Sequence, residues 1–423
     1  MNGYTLLQPD TDMPVRRLTL TATFAFIILL TAAADLSAEL RFNGSARSLF
    51  YSRESFPGAF SGDTDDSFRY YQSFGLHMVD KSTVGEIGFH TFFRVRDDLS
   101  LDLTDDPESR LYNGYLEWKR KNSSLALGRQ WITMGPSSLT LDGFKASRTF
   151  GGQVEVTGYL GVQTPYSRHF SLQGWDRAKS GGLHVRTRNL KNASFGFGFQ
   201  QKSYKGKTTF RELGVDGKLD LPAGLDILGR LDFDLLDAGV QRAVLTGRKR
   251  VSGRLSLMGE YRHYQPRLID KSYFKRFDLE GNEQIRGGVS YTLRPGVSLD
   301  ASYTGVFFED ENDSYITLGA ACPYGSFSYF HGTGASGDED GFAVSGSYLF
   351  AGSWELFADI DYSLYRFYEE LDRDYVFSSA FGLNWRPNRT VLAGIELQDL
   401  NNDFISRDFR VLLKFTLNYS QIF

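Results

Sequence analysis

The chain has 423 residues, 51 acidic and 47 basic, for a formal net charge of -4, and no block of one sign marks it for nucleic acid. Its 35 phenylalanines, 23 tyrosines and 5 tryptophans sit in a sequence whose mean hydropathy is only -0.31. That is too polar for a bundle of membrane helices but suits strands with one apolar and one wet face. Cys322 is the only cysteine, which excludes an internal disulfide, a cysteine-rich metal site and covalently attached haem, so any redox chemistry would belong to a partner.

Near the start, Arg16 and Arg17 precede an apolar run from Leu18 to Ala34, centred on Phe24, Phe26 and Ile27 to Leu30 and closed by Ala32, Ala33 and Ala34. A charged segment, an apolar segment and small residues in that order predict a secretory signal over residues 1–38, cut after Ala34 or Ala38. Met13, directly before Pro14, Val15 and the two arginines, is the more natural start of such a signal than Met1.

From residue 39 to 423 the chain breaks into alternating segments of about ten residues joined by short polar stretches, the rhythm of a barrel. Leu40–Tyr51, Phe68–Val79 and Gly85–Val95 come first, with an acidic stretch at Asp97, Asp98, Asp102, Asp105 and Asp106 that reads as solvated loop surface. Leu111–Lys119 and Ser124–Trp131 form a hairpin around Lys121, Asn122 and Ser123. After it, Met134, Gly135, Pro136, Ser137 and Ser138 lead so directly into Leu139–Thr149 that no room is expected for an inward constriction loop.

The middle holds Val154–Gln163, a wide break at Thr164–Lys179, then Leu183–Arg188, Phe195–Tyr204, Phe210–Leu219, Leu225–Leu236, Val240–Arg248, Leu255–Tyr264, Ile285–Leu293 and Val297–Phe308. The final third repeats the rhythm through Tyr315–Cys322, Phe327–Gly334, Phe342–Phe350, Trp354–Phe367, Tyr375–Arg386 and Val391–Leu400. The expected fold is all-β: a transmembrane antiparallel β-barrel of about 20–22 strands with short periplasmic turns.

The last segment alternates Phe409, Val411, Leu413, Phe415, Leu417 and Tyr419 with Arg410, Leu412, Lys414, Thr416, Asn418 and Ser420, and stops on Phe423. A final amphipathic strand closing on a terminal aromatic resembles the C-terminal signal of bacterial outer-membrane barrels, and Leu125-Ala126-Leu127-Gly128-Arg129-Gln130 resembles a hairpin of general porins. These resemblances imply an outer-membrane location and partners in membrane lipid, lipopolysaccharide and the barrel-assembly machinery. That machinery would read Phe415, Leu417, Tyr419 and Phe423.

The wet faces supply lumen candidates of both signs: Arg186, Arg188, Arg230, Arg262, Arg286, Arg410 and Lys414 against Asp226, Asp232, Asp234, Glu260, Asp300, Asp359 and Asp361. One-signed rings would set ion selectivity, whereas mutual pairing would merely keep the wall wet. The six histidines are scattered without a nearby serine and carboxylate set, so no catalytic site or cofactor is expected.

A ring of 22 strands about 4.8 Å apart and tilted near 40° closes roughly 40–45 Å across. Two readings stay open at that width: a porin passing small hydrophilic solutes or ions, narrowed by segments such as Thr164–Lys179 and Leu268–Asn282, or a sheath around a partner. The second resembles the porin component of porin-cytochrome conduits, which implies a multihaem cytochrome inside. An outer-membrane adhesin or enzyme is the remaining alternative. By resemblance, small general porins imply a trimer, while a barrel this wide is more often alone.

Overall fold

The computed structural model describes residues 40–56, 65–82, 85–100, 107–188, 190–266, 280–366, 372–402 and 407–422. The signal segment, Phe423 and most of Leu268–Asn282 lie outside them. Twenty-two strands follow in chain order: β1 Leu40–Phe56, β2 Asp65–Ser82, β3 Gly85–Asp98, β4 Glu108–Arg120, β5 Ser123–Met134, β6 Ser137–Phe150, β7 Val154–Gln163 and β8 Ala178–Thr187. Then come β9 Ala193–Tyr204, β10 Lys207–Leu221, β11 Leu225–Asp234, β12 Gly239–Arg250, β13 Leu255–Tyr264, β14 Asn282–Arg294 and β15 Val297–Phe307. The series ends with β16 Asn312–Cys322, β17 Gly325–Gly334, β18 Asp338–Phe350, β19 Trp354–Arg366, β20 Asp374–Trp385, β21 Val391–Asn402 and β22 Arg407–Ile422.

Each strand pairs antiparallel with the next, and β22 returns to β1 from Arg41↔Ile422 to Phe56↔Arg407, so the sheet closes and has no edge. Closure satisfies the backbone groups that an open sheet would leave unpaired. At the end holding Leu40 and Ile422 the connections run two to five residues, while the longest, 164–177 and 265–281, lie at the opposite end. Backbone preference sets some of these turns locally. Lys205 and Gly206, alone between β9 and β10, both have positive φ (49° and 78°), the pair of left-handed residues that a two-residue hairpin of matching twist requires.

The registers fix which residues share a face. Asp216, Arg230, Val244, Arg262, Gln284 and Val306 stand side by side across β10 to β15 on one face, while Val215, Leu231, Leu245, Tyr261, Ile285 and Tyr303 lie on the other and are exposed. The same division continues around the ring, with Ile316, Phe342, Leu356, Phe381, Leu397, Leu413, Phe415, Leu127 and Leu160 also exposed.

The wall is interrupted once in the β4 to β7 sector. Pairing between β4 and β5 stops at Gly114↔Arg129, although both strands continue, and β6 pairs with β7 only from Leu141↔Gln163 downward. The tip of the β5–β6 hairpin therefore leaves the wall. Its residues Ile132, Leu139 and Leu141 form a small buried cluster with Tyr159 of β7, and Met134 packs against it. Because Tyr159 belongs to the inner face, the tip has folded inward, which corrects the expectation that this hairpin is too short to enter the lumen.

The inward lumenal wall and hairpin

All fourteen lumen candidates lie on the face opposite the exposed apolar residues, Arg188 just beyond the end of β8. Many are paired with one another or with neighbouring side chains. Arg230 meets Asp232 at 2.8 Å, Arg262 meets Glu260 at 2.7 Å, Arg410 meets Asp408 at 2.7 Å, Arg188 pairs with Glu155, and Lys414 pairs with Glu396. Glu260 also accepts from Thr246 at 2.9 Å, Asp300 accepts from Ser298 at 3.3 Å, and Asp234 accepts the Leu236 N–H at 2.7 Å. Arg286 stands opposite Glu260 in register, and Asp226 opposite Arg248. Asp359 and Asp361 line a shallow hollow of about 400 Å³ with Ser326, Ser345 and Arg410.

Closure, a continuous apolar exterior and a charged interior have one common solvent arrangement, lipid outside and water within. The chain is a closed, membrane-spanning β-barrel. The barrel's rings gather where an interface would run: Trp354 and Trp385 lie 6.0 Å apart, and Tyr324 and Tyr348 6.3 Å apart, all at the end with the short turns. Phe415, Leu417 and Tyr419 of the barrel's last strand sit on the lipid face. A charge placed on that face is expected to be costly. Leu245→Arg, in the middle of β12, should lower barrel stability by about 2–4 kcal/mol in urea titrations of liposome-folded protein. Val244→Arg, one residue away but on the wet face, should be nearly neutral.

No protein-family model matches the sequence, and no curated protein sequence matches it. Solved structures similar to this barrel include OccK9 (OpdG) of Pseudomonas aeruginosa, with 14% identity and TM-score 0.46 over 90% of this chain and 98% of that one. OpdK of the same organism gives 11% identity and TM-score 0.45 over 90% and 99%. A BenF-like porin of Pseudomonas fluorescens gives 10% identity and TM-score 0.43 over 91% and 99%.

The inward hairpin builds the most developed site of the barrel. Gly135 and Pro136 at its tip rest on the inner wall at Gly198 of β9 and Gly214 of β10. A Cβ at Gly198 would stand 2.7 Å from Pro136 Cδ, and one at Gly214 2.6 Å from it, so only glycine allows the tip to seat there. Under the tip opens a cavity of about 680 Å³ lined by Thr133, Ser138, Thr157, His184, Arg186, Arg188, Lys202, Arg230 and Arg242, with Glu155 and Asp216. Five permanent cations thus face two carboxylates. Arg186 and Arg242 make no ion pair among the described residues. His184 lies 3.6 Å from Asp216.

A second element completes the arrangement. Segment 164–172, between β7 and β8, crosses to β4, where the Arg168 carbonyl accepts the Leu111 N–H at 2.8 Å. It fills the place in the wall that the hairpin tip has left, rather than entering the lumen, one of the two readings open for Thr164–Lys179. Arg129, at the point of departure, joins the pieces. Its guanidinium makes a two-pronged pair with Asp142 (2.7 and 2.9 Å) and donates to the carbonyls of Leu111 (3.1 Å), His169 (2.7 Å), Arg168 (3.3 Å) and Ser171 (3.2 Å). With side-chain exposures of 2% and 7%, Arg129 and Asp142 form a buried ion pair in a membrane wall. Two of the five donors of arginine go to Asp142, and the remaining three are shared among these four carbonyls, which lie outside the regular ladders.

Sequence reasoning missed Arg129, Asp142, Pro136, Gly198, Lys202 and Arg242. Lys202 and Arg242 share the wet parity of Arg186 and Arg230 and were legible by the same count. Arg129 and Asp142 instead interrupt the lipid-facing series Leu125, Leu127, Trp131 and Phe144, Ala146. The structure also brings together His77, His90 and Tyr115 on adjacent strands, with stacked rings 4.3 and 4.5 Å apart.

Proposed function

We propose that the barrel is a passive channel for small hydrophilic solutes and ions, with a preference for anions set beneath the inward hairpin. With Arg188 paired to Glu155 and Arg230 to Asp232, the cavity still keeps Arg186, Lys202 and Arg242 against Asp216, and that cationic excess carries the reading. An anion entering it exchanges hydration for guanidinium donors, which bind carboxylate or phosphate oxygens in planar pairs. The opposite arc of the wall has the other sign. From β15 to β21 the inner face presents Asp300, Asp313, Glu339, Glu355, Asp359, Asp361, Asp374 and Glu396. Anions are therefore drawn toward the hairpin side of the lumen.

The test is single-channel recording of the refolded protein in planar bilayers under a potassium chloride gradient. A stable conductance whose reversal potential lies on the anion side is expected. A cation-side potential would overturn the selectivity, and the lack of any conductance would overturn the channel.

Width supports a second reading. Twenty-two strands enclose a ring roughly 40–45 Å across, wide enough for a folded partner such as a multihaem cytochrome. In that case the purified barrel alone should give very large, unstable currents, and a haem-containing protein should accompany it from native membranes. Outer-leaflet lipopolysaccharide around the belt and assembly machinery engaging the final strand are partners under either reading.

A further inference from the structure

The β5–β6 tip and segment 164–172 compete for one strand edge. Beyond Gly114↔Arg129, β4 still has Glu108–Asn113 and β5 still has Gln130–Met134, and the bulge that β4 carries at Tyr112 against β3 lets the pairing run on with a shift of one residue. Continued past the bulge, it would set Asn113 opposite Gln130, Leu111 opposite Trp131 and Ser109 opposite Thr133. That edge is instead held by segment 164–172, through one backbone hydrogen bond to Leu111 and the carbonyls gathered by Arg129. Segment 164–172 has no regular secondary structure, and Pro165 at its start lacks the N–H that would extend β7. Trp131, on the face of the tip away from the apolar cluster, is 52% exposed. In a continued wall it would join Leu125 and Leu127 in the lipid-facing series.

We propose that the hairpin tip is a two-position gate. Docked on Gly198 and Gly214, it roofs the cationic cavity and narrows the lumen. Zipped onto β4, with segment 164–172 displaced outward, it restores the wall and opens the cavity to the full lumen. The two positions exclude each other because one row of backbone groups on β4 cannot pair with both segments.

The experiment moves the tip off its dock in two independent ways, in a Cys322→Ser background. Gly198→Val with Gly214→Val fills the docking surface, and a second, larger conductance level should become dominant. Ser109→Cys with Thr133→Cys bridges the zipped position, in which these two residues stand opposite one another, and leaves the docking surface untouched. Oxidised, this protein should hold the larger level alone; reduced, it should return to the smaller one.

Folding is followed by the heat-dependent electrophoretic shift of barrels. If the valine pair does not fold, the oxidised and reduced states of the cysteine pair still decide. One unchanged level in every folded variant and redox state would overturn the gate. The proposal rests on the channel reading, but the failures differ: a barrel that never conducts refutes the channel, and one that conducts at a single invariant level refutes only the gate.

Discussion

Asp142→Ala is expected to destabilise the barrel by about 3–5 kcal/mol, because it leaves the Arg129 guanidinium buried without its counter-charge. The carbonyls of Leu111, Arg168, His169 and Ser171 would still accept from Arg129, but they carry no formal charge to neutralise it. Removing the pair together should be milder. Arg129→Met with Asp142→Leu deletes both charges in a largely apolar surrounding, at the cost of leaving those carbonyls fewer donors. The prediction is read as a double-mutant cycle in urea unfolding of liposome-folded protein. A double variant as unstable as the sum of the two singles would mean that the ion pair is not what holds the hairpin and segment 164–172 together.

The second large effect concerns ions. Arg186→Glu with Arg242→Glu changes the charge around the cavity by four units. At about 10 Å in water each unit contributes about 0.4 kcal/mol, and screening at 0.1 M salt leaves roughly a third of it. The summed change, about 0.6 kcal/mol, acts with opposite sign on anion and cation, so their permeability ratio should shift about eightfold toward cations, and more at lower salt. These two arginines are chosen because neither is in an ion pair among the described residues, so little wall structure is lost with them. Asp359→Asn on the opposite arc should move the reversal potential the other way and by less. A permeability ratio unaffected by the double reversal would place selectivity elsewhere in the lumen.

The segments read from the sequence match the strands closely. All 22 correspond, and Val154–Gln163 and Leu255–Tyr264 agree at both ends. Alternation is a local property: successive side chains point to opposite faces, so a run such as Leu225, Ile227, Leu231, Phe233 against Asp226, Arg230, Asp232, Asp234 states its two environments without reference to any other strand. The fourteen lumen candidates were legible by the same count, and the registers set them on the face away from the exposed apolar residues.

The hairpin could not be read in that way. Leu139 and Leu141 lie on the lumen-facing parity, and their alternation is the same whether the tip stays in the wall or bends away from it. The trace that did exist was a pair of charges, Arg129 and Asp142, in otherwise apolar lipid-facing series, and its meaning required carbonyls from residues 111 and 168–171 to be brought to one guanidinium. Likewise, Gly196 and Gly198 in β9 show only that the wall is thin there, while the reason, Pro136 seated against Gly198, comes from a residue 62 positions earlier.

The sequence by itself determined the strands, their wet and greasy faces and the closed barrel, because a period of two and the satisfaction of backbone groups in lipid leave few other solutions. Only the tertiary structure decided where the wall is broken, what fills the break and which cations gather under the hairpin. Those outcomes depend on contacts between segments far apart in the chain, whose geometry no local pattern encodes.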